Sequence, residues 1–141
     1  MGCDIYCLNR EGGKEYRELN KINGASNGNL IRSFSSYPTE KQIDIFLYSI
    51  SCRKDPRFEP ILAKEGEKII PNIVSRIETE KQFWNKANLV AVLIRIDSDC
   101  KCVANDSSII KRLDQVARAP HNEANDTYLN IFKSKLESLK K

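Results

Sequence analysis

Residues 68–96, KIIPNIVSRIETEKQFWNKANLVAVLIRI, are the most apolar stretch of this chain and carry its single tryptophan. Ile69, Ile70, Ile73, Val74 and Ile77 recur at the three- and four-residue spacing of one helical face. Pro71 falls inside that pattern, so it belongs in the first turn of the helix or kinks it. Thr79-Glu80-Lys81-Gln82 then has the form of a capping box, in which a hydroxyl caps a new helix and a Gln three residues on answers it. The second arm carries Phe83, Trp84, Ala87, Val90, Ala91, Leu93 and Ile94. It is apolar over more than one face, the pattern of a helix buried on two sides. The stretch therefore predicts an antiparallel helical hairpin around which other helices pack, with Trp84 in the core.

The flanking sequence extends the helical reading. Pro38-Thr39-Glu40 opens a helix with Ile43, Phe46, Leu47 and Ile50 as its stripe, ending near Cys52 before the charged turn Arg53-Lys54-Asp55-Pro56. A short piece with Phe58, Ile61 and Leu62 inward follows, and Gly66 interrupts it. Residues 97–102 read as a loop, and Asp106-Ser107-Ser108 caps a helix carrying Ile109, Ile110, Leu113, Val116 and Ala117. Ala119-Pro120-His121-Asn122 stops that helix. A last one, about residues 123–140, has Tyr128, Leu129, Phe132, Leu136 and Leu139 on one face, and lysines crowd its end, where the helix dipole is negative. By contrast, residues 1–29 are polar and rich in turn formers, with Asn-Gly occurring twice between flanks too irregular for a hairpin. The expected division is an irregular polar N-terminal arm over residues 1–37 and an all-α helical domain over residues 38–141, with about five helices packed as antiparallel hairpins.

The chain has 141 residues, 40% hydrophobic and 30% charged, with a net charge of +4. That is the composition of an ordinary globular domain with a real core, and no run reaches the roughly 18 apolar residues of a spanning helix. The charge is mild and unclustered, so nucleic acid is not an expected partner. Arg53, Lys54 and Arg57, and Lys111, Arg112 and Arg118, are interleaved with acids and read as solvated faces. Asp97, Asp99 and Asp106 lack the spacing of a calcium loop and read as a solvated acidic loop. His121 has no recognisable catalytic partner. Glu78 and Glu80 sit at a helix junction where acids are stabilising in their own right. Asn105 and Asn125 begin glycosylation sequons whose following residues also suit helix caps. No catalytic, cofactor-binding or metal-ligating constellation emerges. The expectation is therefore a non-enzyme without a cofactor.

Five cysteines cluster as Cys3 and Cys7, Cys52, and Cys100 and Cys102. In a reducing compartment they are thiols, but Cys-x3-Cys with Cys-x-Cys is not a zinc spacing. In an oxidising one, Cys7, Cys52, Cys100 and Cys102 are candidate disulfide partners and Cys3 a candidate lipid anchor, with Met1-Gly2 ahead of the acylated first residue of a bacterial lipoprotein. Met-Gly-Cys is also a poor match to a myristoyl-palmitoyl start, because Tyr6 stands where that motif prefers a hydroxyl. The expected address is periplasmic or membrane-anchored, with membrane contact only through a lipid on Cys3; the cytoplasm is the competing address. A bridge between Cys100 and Cys102 would close a strained small ring. Each is therefore expected to reach Cys7 or Cys52, stapling the arm or the first helix to the loop after the hairpin.

Helix pairs of this length, broken at Asp-Pro and Ala-Pro, resemble HEAT-like helical hairpins. Residues 70–77, IPNIVSRI, look like a HEAT first helix with its proline, and residues 87–94, ANLVAVLI, like the second helix behind it. About two and a half such units fit within residues 38–140. The resemblance implies a continuous helical face that binds protein. In type, the chain is similar to small bacterial immunity proteins and toxin inhibitors, which mask a partner. The expected partner is accordingly another protein, a toxin or effector. Two competing readings are a small helical enzyme using scattered Asp, Glu and Arg, and a helical module contacting nucleic acid.

Overall fold

A computed structural model of the chain describes residues 7, 10–22, 27–120 and 126–141. The fold is all-α. The described residues form α1 (Gly13–Asn20), α2 (Asn27–Ser35), α3 (Thr39–Arg53), α4 (Phe58–Ala63), a 3-10 turn (Gly66–Ile69), α5 (Ile70–Thr79), α6 (Phe83–Cys100), α7 (Ser107–Arg118) and α8 (Asp126–Lys140), with no strand among them. None of these helices is long and apolar enough to cross a membrane. The chain divides into two compact units between Glu65 and Gly66, instead of at residue 37.

In the N-terminal unit, the stretch expected to be an irregular arm contains two helices. Isolated helices of 8 and 9 residues are marginal in water and depend on packing. Tyr16 and Leu19 on α1, and Leu30 and Phe34 on α2, supply that packing, each 5% exposed or less. Tyr16 lies against Tyr48 of α3 and Phe58 of α4, with ring centroids 5.4 and 5.8 Å apart, and Phe34 meets Phe58 at 5.5 Å. α3 ends at Lys54, which adopts a left-handed backbone at φ 51°. The Asp55 N–H then reaches back 2.9 Å to the Ser49 carbonyl, a Schellman closure.

Gly12 starts α1 at φ 91°, a region that favours glycine. A Cβ there would meet the Asp44 carbonyl group and lie 2.7 Å from the Ile45 amide nitrogen, both rigid backbone of α3. Gly12→Ala is expected to cost about 3 kcal/mol, combining overpacking with backbone strain. A urea midpoint equal to that of the parent would refute this close approach.

In the C-terminal unit, residues 68–96 form two successive helices that pack on each other. α5 buries Ile70, Ile73, Val74 and Ile77, and Pro71 stands in its first turn. α6 buries residues on several sides, among them Phe83, Ala87, Leu89, Val90, Val92, Leu93 and Ile96, and packs most extensively on α8. Phe83 meets the fully buried Phe132 edge-on at 5.6 Å.

Three local readings change. Thr79 does not cap α6: it closes α5, its hydroxyl donating back to the Arg76 carbonyl at 3.3 Å. Gln82 is the cap residue, accepting through its backbone carbonyl from the Asn85 and Lys86 amides at 3.1 and 3.2 Å. α6 also runs through Cys100, so the loop predicted from residue 97 begins only at Lys101. Trp84 is partly exposed instead of being a core residue. The Asp106 cap holds as expected, its carboxylate accepting from the Ile109 amide at 3.1 Å.

Candidate functional site

Among the described residues of the N-terminal unit, Tyr16, Asp55 and Arg57 form a tightly coupled polar group. Asp55, after α3, accepts from the Tyr16 hydroxyl at 2.9 Å and from Arg57 through Nε at 3.0 Å and Nη2 at 2.7 Å. Arg57 also reaches Asn20 at 2.7 Å, and Arg53 lies over the Tyr16 ring at 5.9 Å. Burial, reinforced by Asp55, raises the Tyr16 hydroxyl pKa. Burial alone would raise Asp55 too, but the hydrogen bonds from Arg57 and Tyr16 outweigh it and hold Asp55 below its ordinary 3.8.

A depressed carboxylate contributes stability that is fully present above its ordinary value and lost as pH falls through the lower folded one. Arg57 is 43% exposed on its side chain, so solvent screens part of the gain. Asp55→Asn is expected to lower stability at neutral pH by about 1–2 kcal/mol. It should also flatten the decline below about pH 4. Urea melts from pH 2 to 7 check both; an unchanged acid slope would assign the acid sensitivity elsewhere. This arrangement is a structural clamp between α1 and the turn after α3, with its polar atoms engaged by one another.

In the C-terminal unit, charge gathers where α5 turns into α6. Arg112 of α7 grips the Glu78 carboxylate with two guanidinium nitrogens, Nε at 3.0 Å, and this pairing lowers the Glu78 pKa. Arg76 lies 3.7 Å from Glu80, which also accepts from the Asn85 side-chain amide Nδ2 at 3.0 Å. Lys86 is 7% exposed, and its ammonium donates to the Ile77 carbonyl at 2.6 Å above the Phe83 ring. Burial pushes its pKa down, while Glu80 and Glu78 push it up. Its placement is that of a cap: it satisfies a carbonyl in the last turn of α5. A lysine inside the run FWNKANLV was the sequence signal for a buried cation, and periodicity alone passed over it.

At the same end, Trp84 at the start of α6 meets Tyr128 of α8 edge-on, with centroids 5.3 Å apart. Tyr128 and Ile131, one turn apart on α8, are each 41% exposed. Tyr128 was expected on the buried stripe; Leu129, Phe132, Leu136 and Leu139 take that stripe and leave Tyr128 beside it. Ile131, an apolar residue outside the stripe, was the overlooked signal.

The other singled-out residues fall as follows. Cys7 and Cys52 form a disulfide with Cα atoms 5.7 Å apart, and Cys100 and Cys102 form another at 5.1 Å. The expected staple from either to the loop after α6 is therefore replaced by one bridge within the N-terminal unit and one local bridge. The ring argument failed because Lys101, at φ 54°, turns the chain back and brings the two cysteines together. Glu67 shares a cluster with Cys100 and Cys102, their ligand atoms all within 4.8 Å, but the two sulfurs are bonded to each other.

Asp97 is not solvated: it is 4% exposed and accepts from the Val103 and Ala104 amides at 2.8 and 3.1 Å. Lys111 and Arg118 are exposed. Arg118 borders, with Asp114, Lys133 and Glu137, an open groove of about 340 Å³ whose charges are mixed. Cys3, His121 and the sequon at Asn125 lie outside the described residues. No protein-family model, curated protein or solved structure matches the chain.

Proposed function

We propose that the chain is a non-catalytic protein-binding module that masks a partner, docking it on the end of the C-terminal unit where Trp84, Tyr128 and Ile131 gather. The observation that carries this reading is the exposure of Tyr128 and Ile131, at 41% each, beside a partly exposed tryptophan. Tryptophan and tyrosine dominate the energetics of protein interfaces because they bury large area at low rotamer cost. The charged groups at the same end, Glu78 with Arg112 and Arg76 with Glu80, suit the polar rim that surrounds such a centre. A helical body with few side chains to order on binding reduces the entropic cost of association. The resemblance to HEAT-like hairpins, whose faces bind proteins, supports the same reading. The resemblance in type to immunity proteins makes a toxin or effector the expected partner.

The test compares the parent protein with a Tyr128→Asp/Ile131→Asp double variant as baits in quantitative affinity capture, after circular dichroism has verified that the variant folds. A partner held by the parent and lost by the variant, with at least a hundredfold weaker binding by calorimetry, is expected from two central contacts of about 2 kcal/mol each. Undiminished binding by the variant would remove this face from the proposal. Conversion of the partner by the purified chain would replace masking with catalysis.

A further inference from the structure

The two disulfides differ in kind. Cys7 and Cys52 are 45 residues apart, whereas Cys100 and Cys102 are separated by Lys101 alone. On the chain-entropy account the stabilisation by a bridge grows with the logarithm of the loop it closes, so the second bridge constrains the unfolded chain far less than the first. Nor does the turn it spans depend on it. The Lys101 amide donates to the Asp97 carbonyl at 2.9 Å and the Asn105 amide to the Lys101 carbonyl at 3.1 Å. The buried Asp97 carboxylate holds the Val103 and Ala104 amides, and Val103 is fully buried beneath the turn. Cys100 is exposed and Cys102 partly so. A bridge that is reachable by solvent and closes a small ring, in a turn already fixed by other groups, has the attributes of labile disulfides and not of structural ones.

We propose that Cys100-Lys101-Cys102 is a redox-active site that exchanges with a soluble dithiol, while Cys7–Cys52 remains the structural bridge. A thiolate of the dithiol attacks the Cys102 sulfur, forming a mixed disulfide and breaking the bond to Cys100. Cys100 leaves as thiolate, next to the Cys102 amide, which donates to its sulfur at 3.3 Å, and then takes a proton. The second thiol of the reagent, as thiolate, attacks its own mixed-disulfide sulfur and releases Cys102, which is protonated in turn. The dithiol is oxidised to a cyclic disulfide, and the protein bridge gains the two electrons and two protons.

The experiment equilibrates the full-length oxidised protein in graded ratios of reduced to oxidised dithiothreitol, quenches with acid, alkylates and maps the cysteines by mass spectrometry. Half-reduction of Cys100–Cys102 is expected at a ratio about a hundredfold lower than that for Cys7–Cys52. Opening of both bridges at one ratio, or of Cys7–Cys52 first, would overturn the proposal. Stability supplies a second arm. The Cys100→Ser/Cys102→Ser variant should lower the urea midpoint much less than Cys7→Ser/Cys52→Ser does; an equal fall would make the local bridge a staple and defeat the redox assignment. Cys100→Ser challenged with oxidised glutathione should form a Cys102–glutathione mixed disulfide and release one reduced glutathione, and a failure of Cys102 to react would contradict the order of attack.

Discussion

Breaking Cys7–Cys52 is expected to lower the stability of the N-terminal unit by roughly 4 kcal/mol on the chain-entropy model. The bridge joins residues 45 apart, and the loop it closes contains α1, α2 and most of α3. Its Cα separation of 5.7 Å lies within the ordinary range for a disulfide, so the folded chain needs no rearrangement to form it. The contribution therefore lies mainly in the unfolded ensemble, which loses the freedom of a long loop. α1 and α2 are short, polar on their outer faces and anchored by few side chains, so this unit has little stability in reserve. With domains stable by about 5–15 kcal/mol in total, such a loss is enough to leave the unit partly unfolded at 37 °C. Urea titration of Cys7→Ser/Cys52→Ser against the parent, followed by far-UV circular dichroism, measures it. A shift below about 1 kcal/mol would show that the packing of Tyr16, Leu19, Leu30 and Phe34 constrains the unfolded state enough to make the bridge redundant.

In the C-terminal unit the largest effect is expected at Phe132. Its ring is fully buried and edge-on to Phe83 at 5.6 Å, on the face where α8 packs most extensively on α6. Phe132→Ala removes the ring and leaves a cavity that fixed helices cannot close, at a cost of about 3–5 kcal/mol. Trp84, larger but partly exposed, is expected to cost only about 1–2 kcal/mol on truncation to alanine, because one side of the ring already faces water. The order of the two matters more than either value. If Trp84→Ala proved as damaging as Phe132→Ala, Trp84 would be a core residue, and the docking face built on it would lose its centre.

Several features were readable from residues alone because their causes are local. The stripe of Ile70, Ile73, Val74 and Ile77, the Asp106 cap and the stop at Ala119-Pro120 each follow from backbone geometry or from hydrogen bonds within one turn. The two-sided burial of α6 was equally legible, since its apolar residues surround the helix. The candidate face was not. Tyr128 and Leu129 are chemically alike to a periodicity argument, and a small rotation of α8 decides which of them meets the core. Lys86 needed the carbonyl of Ile77, nine residues away, before its burial made sense.

What the sequence by itself determined is the helical class and the two helices within residues 68–96, because hydrophobic spacing and caps act over a few residues. Tertiary structure alone decided the rest. α1 and α2 are too short and polar to hold by propensity and are helical because Tyr16, Leu19, Leu30 and Phe34 have aromatic and aliphatic neighbours to bury against. Cysteine pairing was likewise a question of distance in space: Cys52 lies beside Cys7, and a left-handed turn at Lys101 joins Cys100 to Cys102. The exposure of Tyr128 and Ile131 has the same origin, since burial depends on which side of a helix another helix happens to cover.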